Sequence, residues 1–137
     1  MSGPAFFDTN IVVYAALGGG EARAERARAV ISAGGVISVQ VLNEFVNVLR
    51  RKLGRTWDEV VEAEADIREL CPMIVPLTIE MHGRALRVAR RYDYRFFDAL
   101  MIAAALEASC DTLYSEDLQD GQRIEGLVIQ NPFRETA

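Results

Sequence analysis

The chain has 137 residues, of which 50% are hydrophobic and 26% are charged. This length and apolar content predict one domain with its own core, spanning residues 1–137, and exclude a disordered protein. The 15 basic and 20 acidic residues give a net charge of −5. That charge argues against a basic protein that coats nucleic acid without specificity.

Short apolar runs predict strands, and apolar residues at helical spacing predict helices. Glycines 18–20 are interpreted as a tight break between two helices. In chain order, the predicted elements are strand 5–7, helix 11–17, helix 21–32, strand 35–39, helix 40–53, helix 58–70, strand 73–75, helix 79–91, helix 98–109, strand 112–114 and strand 127–129. This alternation is typical of an α/β fold, in which a mostly parallel sheet has helices on both faces. The helix over 98–109 is apolar almost all round, which predicts a place in the middle of the domain.

The two cysteines, Cys71 and Cys110, lie far apart and belong to no Cys/His cluster, so we expect no structural zinc site. We interpret both as buried thiols of a reducing compartment. The N-terminus lacks a signal-peptide pattern, and the longest stretch without a charge, residues 29–43, is too short for a membrane span. These features predict a cytoplasmic protein.

We expect four acidic residues to converge on the edge where parallel sheets carry their sites. Asp8 follows the first strand, and Asp117 follows the strand that ends at Tyr114. Asp98 begins the apolar helix, and Glu44 borders the apolar stripe of its own helix. A divalent cation would relieve both the repulsion and the desolvation of such carboxylates. Oxygen ligands without His or Cys favour Mg²⁺ or Mn²⁺.

Each acid also has an ordinary structural interpretation. Asp8 and Asp98 are candidate helix N-caps, Glu44 is a candidate partner for an arginine, and Asp117 is a candidate turn residue. The joint pattern favours a site, because independent structural roles give no reason for all four to fall at these positions. The sole histidine, His82, has no pattern for a metal or a catalytic triad and is interpreted as structural.

The motifs, in this order and spacing, resemble the PIN-domain family and within it the VapC-like ribonuclease toxins of bacterial type II toxin–antitoxin systems. The resemblance runs from about residue 6 to residue 133. It rests on residues 7–10 (FDTN), 38–45 (SVQVLNEF), 97–105 (FDALMIAAA) and 114–118 (YSEDL), followed by 131–133 (NPF).

The resemblance implies a three-layer Rossmann-like fold and a Mg²⁺- or Mn²⁺-dependent endoribonuclease. It implies catalytic and metal-binding roles for Asp8, Glu44, Asp98 and Asp117. The fourth acid is the most variable in the family, and Glu116 and Asp120 therefore stay open as alternatives. The polar positions that family members place around the site are matched by Thr9, Asn10 and Ser115. The resemblance further implies an RNA substrate, a homodimer and a cognate antitoxin that blocks the site.

Two basic stretches are candidate contacts for RNA phosphates despite the acidic net charge, since six acids are concentrated in residues 58–69. The predicted contacts are Arg50, Arg51, Arg90 and Arg91, and the same stretches also contain Lys52, Arg55, Arg84, Arg87 and Arg95. The alternative is that these side chains are solvated or pair with the acidic helix. The neighbouring Tyr92, Tyr94 and Phe96 are interpreted as packing or dimer residues rather than as stacking platforms for bases.

Other functions stay open at this point. A phosphotransferase with Asp8 as nucleophile would usually have a second aspartate two residues later, where this chain has Asn10. Two further alternatives are an RNA-processing nuclease of the same fold outside a toxin–antitoxin pair and a non-catalytic binding module. The presence of all four acids argues against the binding module.

Overall fold

A computed structural model describes residues 3–18 and 21–134. Gly19 and Gly20 of the predicted glycine break therefore lie outside the described residues. The elements in chain order are β1 (Ala5–Phe7), α1 (Thr9–Leu17), α2 (Ala22–Ser32), β2 (Gly35–Ser38), α3 (Val39–Asn47), a π-helical turn (Val48–Lys52), α4 (Trp57–Leu70), β3 (Met73–Val75), α5 (Ile79–Tyr92), α6 (Phe96–Glu107), β4 (Thr112–Tyr114), β5 (Arg123–Ile124) and β6 (Leu127–Gln130).

The strands form one sheet in the order β3-β2-β1-β4-β6-β5. All neighbouring strands are parallel except β5, which runs antiparallel to β6. Phe6 and Phe7 of β1 point to opposite faces of the sheet, and both are fully buried. Helices therefore cover both faces, and the predicted α/β fold with a mostly parallel sheet is confirmed.

The central position of β1, between β2 and β4, brings the carboxyl ends of three parallel strands to one edge of the sheet. The strand order reverses at β1, because β2 and β3 extend the sheet on one side and β4 and β6 on the other. Crevices for ligands form at such reversals. The interior helix is α6, whose residues Ala99–Ala105 are all buried, as its apolar sequence predicts.

Two local predictions were wrong, and one strand was missed. The helix predicted over 40–53 does not continue as an α-helix: α3 ends at Asn47, and a wider π-helical turn follows. The extra residue per turn removes Leu53 from the apolar stripe and leaves it 38% exposed. Arg95, not Asp98, is the N-cap of α6, so Asp98 lies in the first turn of that helix. The two-residue strand β5 was missed because it is too short to give an alternating pattern.

The two cysteines are buried free thiols, and burial raises the pKa of both to about 11. This agrees with their interpretation as small core residues. His82 lies on the exposed side of α5, where its ring packs against Phe96 with the ring centroids 5.1 Å apart. In the part of the chain that is described, no helix is long and apolar enough to cross a membrane.

Candidate active site

A cleft of about 760 Å³ lies at the carboxyl edge of the sheet, where β1 and β4 end. The four predicted acids all line it: Asp8, Glu44, Asp98 and Asp117. They come from the end of β1, from α3, from the first turn of α6 and from the loop after β4. The fold thus brings together carboxylates that are up to 109 residues apart in the chain.

Asp8 is both a helix cap and a residue of the cleft. Its side chain is 4% exposed. One carboxylate oxygen accepts a hydrogen bond from the Thr9 backbone N–H at 2.6 Å, and the other accepts one from the Ser115 hydroxyl at 2.6 Å. The two interpretations of Asp8 from the sequence are therefore compatible, because capping α1 fixes the carboxylate at the edge of the sheet.

Burial raises the pKa of Asp8 to about 7, because an ionised carboxylate loses its hydration there. The hydrogen bonds from Ser115 and Thr9 oppose this change, and the negative charges of Glu44 and Asp117 add to it. Burial also raises the pKa of Asp98, against the lowering effect of Arg95 and with a further contribution from Asp117. The carboxylates of the cleft therefore interact electrostatically and favour a positive partner.

Glu44 is half-buried and is held by its neighbours through hydrogen bonds. The Thr9 hydroxyl donates to its Oε2 at 2.8 Å, and Gln40 Nε2 lies 3.5 Å from its Oε1. Among the described residues no salt bridge involves Glu44. The arginine partner considered for Glu44 is therefore not found in this part of the chain.

Ser115 organises the loop that carries Asp117. Its fully buried Oγ accepts hydrogen bonds from the backbone N–H groups of Asp117 at 3.1 Å and Leu118 at 3.2 Å, while its hydroxyl donates to Asp8. Asn10 Nδ2 donates to the Asp117 carboxylate at 3.0 Å. The three predicted polar residues Thr9, Asn10 and Ser115 therefore each contact at least one of the acids.

The two alternatives to Asp117 are engaged elsewhere. Glu116 accepts a hydrogen bond from the Tyr14 hydroxyl at 2.8 Å and forms a salt bridge with Arg23. Asp120 accepts from the Asn131 backbone N–H at 2.8 Å and pairs with Arg134 at 3.0 Å. Of the three acids, Asp117 is the one that lines the cleft.

Replacing Ser115 by alanine is expected to destabilise the protein by about 2 kcal/mol, because the buried N–H of Leu118 and the part-buried N–H of Asp117 lose their acceptor and Asp8 loses a donor. Urea unfolding of the metal-free protein measures the effect. Ser32→Ala, at the exposed end of α2, is the matched control and should change stability by less than about 0.5 kcal/mol. Equal stability of the Ser115 variant and the wild type would contradict this role for the hydroxyl.

Among the described residues, the cationic side chains that line the cleft are Lys52 and Arg95. Both belong to the predicted basic stretches, but the four arginines predicted as phosphate contacts are not among the lining residues. Arg50 lies over the Trp57 ring, 4.4 Å from its centroid, and donates to the backbone carbonyl of Arg55. Contact between Arg50 and RNA stays a prediction, and such a contact would lie outside the cleft.

Sequence reasoning missed several residues of the cleft. Phe97 lines it, whereas the sequence drew attention only to the neighbouring Tyr92, Tyr94 and Phe96 and favoured packing or dimer roles for them. Three amide side chains of α3 also line it: Gln40, Asn43 and Asn47. Their spacing around Glu44, at helical intervals, was the available signal. Within residues 3–18 and 21–134, no three Asp, Glu, His or Cys side chains converge closely enough to ligate one ion directly.

The protein is an α/β protein with a mostly parallel sheet and an acidic cleft at the carboxyl edge of that sheet. The family model described as the PIN domain matches residues 5–123. The chain therefore belongs to the PIN-domain family, as its motifs predict. No curated protein sequence matches the chain.

The solved structures that share the fold include the following three. VapC20 of Mycobacterium tuberculosis, a sarcin–ricin-loop-cleaving toxin, is 25% identical over 82% of this chain and 89% of its own, with a TM-score of 0.66. A toxin–antitoxin complex from Klebsiella pneumoniae is 18% identical over 96% and 99%, with a TM-score of 0.72. VapBC2 from Rickettsia felis, bound to a promoter DNA fragment, is 16% identical over 93% and 97%, with a TM-score of 0.70. The predicted resemblance to VapC toxins is thus confirmed for the fold.

Proposed function

We propose that the protein is a metal-dependent endoribonuclease that hydrolyses RNA phosphodiester bonds and acts as the toxin of a toxin–antitoxin pair. The observation that carries the proposal is the convergence of four carboxylates from four separate segments on one cleft of a PIN fold. Membership in the PIN-domain family supports nuclease activity. The structural likeness to VapC20 and to toxin–antitoxin complexes supports the toxin role.

The donors in the cleft fit Mg²⁺ or Mn²⁺. All four acids offer oxygen, and no His or Cys is among the described residues that line the cleft. The buried Asp8 carboxylate has neutral donors, Ser115 and Thr9, as its hydrogen-bond partners, so a cation would supply the missing charge. Mg²⁺ usually keeps several waters and binds one or two carboxylates directly. The remaining acids of the cleft would then bind the ion through its waters.

Asp8, Glu44 and Asp98 would hold the ion, and Asp117 would be the fourth acid of the site. The hydrogen bonds from Thr9, Asn10 and Ser115 hold these carboxylates in place. When bound, the cation would supply a water of lowered pKa and would polarise a phosphoryl oxygen. A carboxylate of the cleft accepts the proton of the attacking water. Lys52 and Arg95 attract the phosphates on either side of the cleaved bond. The arginines predicted as phosphate contacts would bind phosphates further along the RNA.

We propose three partners for the protein and a location in the cell. The partners are the RNA substrate, a cognate antitoxin and a second copy of the chain in a homodimer. We propose that the chain is one PIN domain and that it acts in the cytoplasm, where its RNA substrate is accessible.

Incubation of total cellular RNA with the purified protein tests the proposal. Discrete fragments are expected with Mg²⁺ or Mn²⁺, none with EDTA, and none with Asp8→Asn. Cleavage that persists in EDTA would contradict the metal role. A folded protein that binds metal but cleaves no RNA would instead support the binding module. Growth arrest on expression, relieved by an adjacent small gene product, separates a toxin from an RNA-processing nuclease.

A further inference from the structure

One wall of the cleft is a row of amide side chains on α3. Gln40, Asn43 and Asn47 lie on the same face of the helix as Glu44, at intervals of three and four residues, and all four line the cleft. Asn43 and Asn47 are exposed. An amide carries both hydrogen-bond donors and an acceptor. This wall can therefore recognise a group that itself presents donors and acceptors along one edge.

The α6 side of the cleft carries an exposed aromatic ring. Phe97 is 59% exposed, whereas Phe6, Phe7 and Phe45 are completely buried. Its ring contacts that of Phe96 at 5.9 Å between centroids, and Phe97 is among the residues that line the cleft. Phe97 directly precedes Asp98 in the chain, and both residues line the cleft.

We infer that the cleft binds one unpaired RNA nucleotide next to the cleaved bond, with its base stacked on Phe97 and its edge hydrogen-bonded by the amides of α3. This inference rests on the proposed endoribonuclease function. A nucleobase has a flat apolar face and a polar edge, and these are the two surfaces that Phe97 and the amide row complement. Lys52 and Arg95, which also line the cleft, provide charge for the phosphates on either side.

The chemistry selects single-stranded RNA over a duplex. In a duplex, stacking covers the base faces and pairing occupies the edges, so neither Phe97 nor the amides would find a partner. Aromatic stacking tolerates every base, since each has a π face. Base preference would therefore come from Gln40, Asn43 and Asn47, and overall affinity would come from Phe97.

Fluorescence anisotropy with labelled single-stranded oligo(A), oligo(U) and oligo(C), and with an A·U duplex, tests the inference. The proteins carry Asp8→Asn, which prevents cleavage, and the buffer contains Mg²⁺. Phe97→Leu is expected to weaken binding of all three single strands by about fivefold or more, and Phe97→Trp is expected to restore it. Duplex binding should not change. Ile79→Ala, which removes a side chain that is 77% exposed on α5, is the control and should leave every affinity unchanged.

Loss of the amide side chains should change the preference for one base over another, whereas loss of Phe97 should change overall affinity. Asn43→Leu combined with Asn47→Leu is expected to change the ratio of oligo(A) to oligo(U) affinity by about fivefold, whereas Phe97→Leu leaves that ratio unchanged. If the protein without Asp8→Asn cleaves RNA and Phe97→Leu binds single strands as well as its parent, this inference alone is wrong. If that protein cleaves no RNA and the Asp8→Asn protein binds no single strand, the proposed function is wrong as well.

Discussion

Replacing Asp98 by asparagine is expected to reduce metal-dependent RNA cleavage by about a hundredfold or more while the fold stays intact. The substitution keeps the shape of the side chain and removes its negative charge. Asp98 is half-buried at the cleft, where burial and Asp117 raise its pKa, so its charge is costly without a cation. In the proposed site this charge helps to hold the ion, and loss of a ligand or of a group that orients one typically has effects of this size.

Cleavage rates at saturating and at limiting Mg²⁺ measure this effect. Asp66→Asn makes the same change at an exposed position of α4 and should cleave like the wild type. A partial rescue of the Asp98 variant at high Mg²⁺ would agree with a role in metal binding. Full cleavage at limiting Mg²⁺ would show that Asp98 is not part of the metal site.

Most of the fold was predictable because its elements have strong local patterns. The strands at 5–7, 73–75 and 112–114 have the predicted bounds, and the apolar helix α6 is buried as predicted. The helix predicted over 40–53 failed because local spacing does not reveal where an α-helix gives way to a π-helical turn. Five residues in a π-helical turn look the same in sequence as a turn and a half of α-helix, yet this turn brings Val48 and Lys52 to the cleft.

The position of the acids at one cleft was predictable. Asp8 and Asp117 follow strands, and parallel strands carry functional residues at their carboxyl ends. Glu44 was singled out because it borders an apolar stripe, and Asp98 because it precedes a run of apolar residues.

The choice among Glu116, Asp117 and Asp120 was not predictable, since it depends on which neighbours each side chain finds. Tyr14 and Arg23 contact Glu116 from α1 and α2, and no spacing rule reveals those contacts. Phe97 was missed for a related reason: an aromatic residue at the start of an apolar helix has the same pattern whether it faces the core or a cleft.

The burial of Asp8 has a cost in stability, to which the charges of the neighbouring acids add. Asp8→Asn is expected to stabilise the metal-free protein by about 3 kcal/mol at pH 8. A rise in pKa from 3.8 to about 7 corresponds to roughly 4 kcal/mol at about 1.4 kcal/mol per pH unit. An asparagine amide matches the hydrogen-bond donors around Asp8 less well, and that mismatch offsets about 1 kcal/mol.

The contribution of Asp8 to the stability of the wild type depends on pH, and the direction of this dependence follows from its raised pKa. Because folding raises the pKa of Asp8, the folded wild type binds more protons than the unfolded chain between about pH 4 and pH 7. Its contribution to stability therefore falls as the pH rises through this window and is constant above about pH 7. Asparagine does not titrate, so the advantage of the variant should be near zero at about pH 4.5 and reach its maximum above pH 7.

Urea unfolding in EDTA at pH 4.5 and at pH 8 measures both values, and Asp66→Asn should show no such pH-dependent difference.

Addition of Mg²⁺ at pH 8 should then stabilise the wild type, because the ion binds the folded acids, and should stabilise the Asp8 variant much less. The metal would thereby reduce the difference in stability that holds in EDTA. If the variant were no more stable than the wild type at pH 8 in EDTA, the burial of Asp8 would not carry the cost that its raised pKa indicates. The proposed cation would then have to be explained by the other acids of the cleft.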